Sequence, residues 1–193
     1  MNSFRWLMIL AMGLGLVGSA ILPVGAQPKA PQKDNKETVI DFDGLKSAVP
    51  KEWVPVKPAN LLRSHQFRLP GKTPALDAEV AILPDVRGTI EQNINRWKNL
   101  FIPQGDKTIN EVFHVKKMKV GKADVVFMDV TGTYMHKDRP LADDSTAVLL
   151  PNFRMVAVIM ETKFESCFVR MIGPVATVEQ YQKGFEDWVR NFK

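Results

Sequence analysis

The chain has 193 residues, 45% of them hydrophobic, and a formal charge of +5 from 26 Lys and Arg against 21 Asp and Glu. That length suits one domain with a substantial core. The charge is too small and too scattered for a specific nucleic-acid binder, which gathers Lys and Arg into a block or stripe, and a single cysteine, Cys167, excludes an intramolecular disulfide.

In chain order the first element reads as a secretory signal. Arg5 and the amino group supply positive charge, the apolar run "WLMILAMGLGLVGSAIL" comes next, and Val24 and Ala26 offer a small-residue cleavage site before Gln27. The run approaches the roughly 20 residues that a membrane span needs, but Gly13, Gly15, Gly18 and Pro23 weaken such a helix. Residues 1–26 are therefore expected to be a cleaved signal peptide, with no transmembrane span after cleavage and a secreted or periplasmic localisation. Cleavage removes Arg5 alone among the charged residues, which takes the +5 to +4. "QPKAPQKDNKE" (27–37) is polar, carries Pro28 and Pro31 and has no periodicity, as a flexible linker does. No second linker interrupts the rest of the chain, so 38–193 is read as a single domain.

"TVIDFDGLKSAVPKEWVPVKP" predicts two short strands, with Asp43 and Gly44 in the turn between them. The "DFDG" within it fails as a calcium loop, because Leu45 and Lys46 stand where an oxygen ligand and a glycine are required. "LRSHQFRLP" and "LDAEVAILP" predict a strand pair joined by "GKTP". A helix starts at Thr89 with Gln92 at capping-box spacing, and Ile90, Ile94, Trp97 and Phe101 form its apolar stripe.

"VFHVKKMKV" and "ADVVFMDVTGTYM" flank Gly121-Lys122 as a hairpin. Val126, Met128, Val130 and Tyr134 face one way, and Asp129, Thr131 and Thr133 face the other, wet side. "FRMVAVIMET" and "SCFVRMIGP" are apolar on both faces, like central strands, and "KFES" joins them. A second helix starts at Thr177, again with Gln180 at capping-box spacing, and Val178, Tyr181, Phe185, Trp188 and Phe192 line its apolar stripe. The expected fold class is α+β, an antiparallel sheet flanked by two main helices. Trp53, Phe101, Cys167 and Trp188 are its expected core residues.

Candidate ligand- or partner-binding residues are few. Asn93 and Arg96 are neighbours on one flank of the first helix, beside Trp97. They can rim a ligand, or hold the helix by binding strand-end carbonyls or an acidic side chain. "YMHKDRPLADDS" is the most polar part of the domain, and His136 and Asp138, with Asp143 and Asp144, have the oxygen and imidazole chemistry that suits a divalent ion. Solvated loop charges are the alternative, and no metal or cofactor is assigned. Glu79 lies in a strand with no visible partner, and His65 and His114 are isolated. Nucleophile elbows, phosphate loops and zincin helices are absent, so no residue is assigned a catalytic role.

The order of "VPKEW", "LLRSHQFRLPG", "NINRWKNLF", "DVTGTYM", "NFRMVAVIMET" and "FVRMIGPVATV" resembles a family of small secreted bacterial proteins of unknown function. That family is in turn similar to the fold shared by the photosystem subunit PsbP and the Ran-binding Mog proteins. The resemblance implies an α/β/α sandwich and a binding or assembly role rather than catalysis. The expectation is a non-catalytic module whose partner is an unknown protein or envelope component. An extracytoplasmic hydrolase with a loop-built site and an anionic-polymer binder are the competing classes.

Overall fold

Alternating apolar and polar side chains lay most of this chain out as strand, since successive residues of a strand point to opposite faces. The computed structural model describes residues 38–84, 86–137 and 144–193. Its strands are β1 (Val39–Phe42), β2 (Leu45–Ala48), β3 (Val54–Val56), β4 (His65–Leu69), β5 (Ala78–Pro84), β6 (Phe101–Ile102), β7 (Phe113–Val120), β8 (Ala123–His136), β9 (Val148–Glu161) and β10 (Ser166–Pro174). Its helices are α1 (Ile90–Lys98), α2 (Ile109–Val112) and α3 (Val175–Arg190). The expected signal peptide and linker lie outside the described residues.

β1 and β2 pair only with each other, turning through Asp43 and Gly44 at positive φ. The other eight strands form one antiparallel sheet in the order β3-β4-β5-β10-β9-β8-β6, with β7 also pairing β8. The strongly apolar β9 and β10 are central, as their composition requires. The α+β class holds, with three helices among the described residues rather than two.

Strand alternation divides the core into two clusters. Val156, Val158 and Met160 of β9 pack with Val178, Tyr181, Phe185, Trp188 and Val189 of α3, and with Ile40, Phe42 and Leu45 of the β1–β2 hairpin. Met155, Ala157 and Ile159 of the same strand pack with Trp97 of α1, and with Phe101, Phe113 and Phe168. In the first cluster the Trp53 ring lies 5.2 Å from Trp188, 5.7 Å from Phe67 and 6.1 Å from Phe185. Such pairs add about 0.5–1.5 kcal/mol each beyond their burial. Trp53, Phe101, Cys167 and Trp188 are all buried.

Several local expectations change. Phe101 is buried from strand β6 rather than from the helix, because α1 ends at Lys98. Thr177 does not cap α3. The chain turns into that helix directly from β10 with Pro174 at the cap position, and the Thr177 hydroxyl instead donates to the Leu76 carbonyl at 2.7 Å. The short α2 carries a capping box between Thr108 and Glu111 that the periodicity did not reveal. Asp129, expected on a wet face, is held by Arg154, whose Nε donates to it at 2.9 Å and whose Nη2 donates to its other oxygen. That bond raises the Arg154 pKa and keeps the guanidinium charged.

The two edges of the sheet differ. β3 has three residues and a central Pro55. β7 has eight, paired one to one with β8 from Phe113↔Val130 to Val120↔Ala123. Gly121, at φ +55°, makes the turn between them. No helix among the described residues is long and apolar enough to cross a membrane, which says nothing of spans built from strands.

Candidate functional site

The Asn93–Arg96–Trp97 group is a joint. Thr89 and Gln92 close a capping box, with Gln92 N donating to Thr89 Oγ1 at 3.1 Å and Thr89 N to Gln92 Oε1 at 2.9 Å. Asn93 is fully buried and its Nδ2 donates to the Thr89 carbonyl at 3.0 Å and to those of Arg87 and Gly88 at 3.4 Å. Its Oδ1 accepts from Arg96 Nη1 at 2.6 Å. The amide thus serves the loop that enters α1, not the strand-end carbonyls or acidic group expected. Trp97 is buried, edge-on to Phe168 at 5.9 Å.

His136 is not brought to this group. Met135 N bonds the Leu100 carbonyl at 2.9 Å, which puts His136 beyond the C-terminal end of α1, whereas Asn93 serves its entry. The His136 ring lies 5.8 Å from Tyr134. Asp138 and Asp143 lie outside the described residues.

Glu79 has the partners that its sequence context hid. Arg63 Nη1 and Gln66 Nε2 each reach its Oε2 at 2.9 Å, and Arg170 Nη2 lies 3.5 Å from Oε1. By alternation Glu79 shares a face with Leu83, and Arg170 shares one with Phe168 and Ile172, so this cluster lies on the α1 side of the sheet, over β4, β5 and β10. Beside it, Asp77 accepts from Gly71 N at 2.8 Å and from Arg68 Nη1 at 3.0 Å. The Gly71 amide, and then Arg68, hold the Asp77 carboxyl below the usual range.

These polar ties have a mechanical result at the adjoining end of the sheet. The β3–β4 connection (57–64) is held by Arg63 on Glu79 and by Ala59 N on Gln66 Oε1 at 2.8 Å. Leu62 N donates to Asn60 Oδ1 at 3.0 Å, closing a local turn. Leu61 and Leu62 are left 104% and 60% exposed at its tip. Register puts the β9–β10 turn at the same end, since His65 pairs with Ile82 while Cys167 and Phe168 pair with Pro84 and Leu83. In that turn Thr162 Oγ1 accepts from Phe164 N and Glu165 N at 3.3 and 3.1 Å. Phe164 projects 76% exposed, with Lys163 Nζ 5.7 Å from its ring centre. Lys122 Nζ lies 3.1 Å from Asp43 Oδ2, which ties the β7–β8 turn to the β1–β2 turn, and Thr162 and Lys122 hold the Asp43 carboxyl below its ordinary pKa.

Between the β9–β10 turn, β1, the start of β4 and the end of β5 lies a cleft of about 640 Å3, lined among others by Ile40, Phe42, His65, Ile82, Phe164 and Cys167. That size falls in the range of small-molecule sites. Asp41, Glu161, Glu165, Lys163, Ser64 and Ser166 also line the cleft, so its wall is mixed rather than apolar. Burial pushes the Cys167 thiol up to about 12, so it stays protonated and inert. His65 Nδ1 lies 3.1 Å from Ser64 Oγ, and its ring stacks 6.5 Å from Phe67. A nucleophile–base pair needs a third group to orient and polarise the base, and neither of these neighbours does so. The sequence reading missed Leu61, Leu62 and Phe164. Phe164 had a signal, a large apolar side chain inside the short polar turn "KFES", whereas Leu61 and Leu62 stand at the head of a segment that reads as strand.

No protein-family model matches the chain, nor does any curated protein. Solved structures similar to it include a protein of unknown function from Pseudomonas aeruginosa, with 13% identity and a TM-score of 0.43 over 80% of this chain and 94% of that one. They also include the cyanobacterial PsbP (CyanoP) of Synechocystis sp. PCC 6803, with 13% identity and a TM-score of 0.41 over 89% of this chain and 98% of that one. CyanoP bears the name of the fold family that the sequence resembles. Likeness at these values says nothing of what this chain binds.

Proposed function

We propose that residues 38–193 form a secreted or periplasmic, non-catalytic binding module, a PsbP/Mog-like α/β/α sandwich that docks a partner protein or envelope component through its turn end. The observation that carries this is the joint exposure of Leu61, Leu62 and Phe164 from two loops at one end of the sheet. Single exposed apolar side chains are ordinary. Here the loops that present them are fixed by Arg63–Glu79 and by the Thr162 hydroxyl, so the apolar groups are displayed by a rigid frame. An apolar centre rimmed by polar and charged groups is the make-up of a protein-docking patch. Asn93, Arg96 and Trp97 serve this reading by holding α1 and touch no partner. Localisation rests on the charged, apolar and small-residue pattern of residues 1–26.

A photo-crosslinking amino acid at position 164, in the living cell, tests the proposal. One discrete adduct is expected, lost on Leu62→Asp and absent when the probe stands at the exposed Glu91 of α1. Equal adducts from both probe positions, or an adduct indifferent to Leu62→Asp, overturn it. The hydrolase alternative has the Ser64–His65 contact in its favour, and labelling of Ser64 by a fluorophosphonate would support it; none is expected, because no carboxylate among the described residues hydrogen-bonds the His65 ring to orient it.

A further inference from the structure

Sheet edges expose unpaired backbone N–H and C=O groups, and proteins blunt them by shortening the strand or by adding proline, bulges or lysine. β3 uses the first two devices. β7 uses only the last. It runs eight residues without proline or bulge, anchored at its two ends by buried Phe113 and Val120, and His114, Val115, Lys116, Lys117 and Lys119 between them are exposed. Lys119 pairs with Asp124 at 2.8 Å on the open surface, while Lys116 and Lys117 pair with no carboxylate among the described residues. By alternation Lys116 points to the α3 side, with Met118, and Lys117 and Lys119 point to the α1 side, so positive charge lines both sides of a long, regular edge.

A second copy of this chain is a poor occupant, because edge-to-edge pairing sets lysine opposite lysine, and like charges directly opposite destabilise a ladder. An extended chain bearing Asp or Glu meets the same edge with complementary charge. We propose that β7 is a docking edge for an extended acidic segment of another protein, which joins the sheet as a further strand outside β7. Backbone hydrogen bonds supply its affinity and the lysines choose its sequence, as in other strand-addition complexes. A groove of about 190 Å3 beside the edge, between β7–β8 and α3, has Met118, Phe127 and Val156 in its walls and gives room for an apolar side chain of the incoming strand. This surface is the outer edge of β7 and includes none of Leu61, Leu62 and Phe164, so the proposal stands or falls without the crosslinking result.

The test uses the chain from Gln27 to Lys193 and a fluorescein-labelled peptide of alternating Glu and Val, followed by fluorescence anisotropy. Saturable binding is expected. It should weaken about tenfold or more, a change well above measurement error, when every central backbone amide of the peptide is N-methylated and its charge is kept. The same loss is expected for the Lys116→Glu/Lys117→Glu double variant, both positions being exposed and its fold verifiable by circular dichroism. Phe164→Asp should leave the affinity unchanged. Absence of binding overturns the proposal, as does equal affinity for the N-methylated peptide or indifference to the double variant. So does a lysine-dependent affinity for phosphatidylglycerol vesicles without affinity for the peptide, which would make the edge a lipid-facing surface instead.

Discussion

On the α3 face of the sheet, Trp53, Phe67, Phe185, Trp188 and Phe192 form one aromatic cluster beneath a 16-residue helix. On the α1 face a nine-residue helix brings a single Trp, and the ground toward β4 and β5 is held by Arg63, Gln66, Glu79 and Arg170. Burying a large apolar side chain contributes about 1.5–3 kcal/mol, whereas a typical hydrogen bond nets about 0.5–1.5 kcal/mol. The two faces therefore divide the work. One holds the sheet together, and the other gives up apolar area for polar ties that aim loops. A binding frame can be carried on the weaker face because the stronger one supports the fold.

The comparison breaks if the ranking of the two tryptophans is reversed. Trp188→Ala should cost about 5 kcal/mol and Trp97→Ala about 3 kcal/mol, the two ends of the range for a buried aromatic. Trp97 lies among the half-buried Ile90, Ile94 and Leu100, which can close over the gap. Urea denaturation of both variants checks this. Against a typical total of about 5–15 kcal/mol, Trp188→Ala should leave the domain barely folded.

Asn93→Ala should cost about 1–3 kcal/mol, because it strips the loop carbonyls of their donor at a buried position. Arg96→Ala, at an exposed position, should cost less. If Arg96→Ala proves the worse in the same denaturation series, the joint is centred on the guanidinium instead.

A third measurement concerns Cys167, on the α3 face. Its thiol is raised by burial from an ordinary 9.0 to about 12. The unfolded chain then releases this proton near pH 9 while the folded one retains it, so stability is whole below that pH and falls as pH climbs toward 12. Between pH 9 and 10.5 the native chain should lose about 1–2 kcal/mol more than Cys167→Ala does. Parallel curves for the two proteins would show a thiol open to solvent. The smallest effect is expected at the turn end. Leu62→Asp and Phe164→Asp should shift stability by less than about 0.5 kcal/mol, the usual range for surface changes away from packing, and a larger loss would make these side chains structural.

Most features that close within a few residues were legible in the sequence, the Thr108–Glu111 box of the four-residue α2 being too short to show a periodicity. The Thr89–Gln92 box, the turn at Asp43-Gly44 and the hairpin at Gly121 all form as expected. Thr177 and Gln180 show the limit, for the same letters at the same spacing make no cap when a proline starts the helix and a carbonyl 101 residues away claims the hydroxyl. Glu79 looked solitary because its partners Arg63 and Arg170 come from β4's approach and from β10. Exposure is likewise a property of the assembled fold, and nothing in "NLLR" by itself distinguishes a displayed leucine from a buried one.

The ties between α3 and the first third of the domain bear on the order of events during folding. Ser47 Oγ donates to the Trp188 carbonyl at 2.8 Å, Tyr181 donates to Pro70 O at 3.1 Å, and Lys46 N donates to Lys193 O at 2.9 Å. Each contact spans more than a hundred residues, and contacts that distant slow folding, because the loop between them must close before they form. Until α3 is in place, the β1–β2 hairpin has no helix to lie against and Trp53 lacks two of its three ring neighbours. A nascent chain emerging from residue 1 onward thus holds its first hairpin in waiting for its last helix, and the aromatic cluster assembles late and all at once.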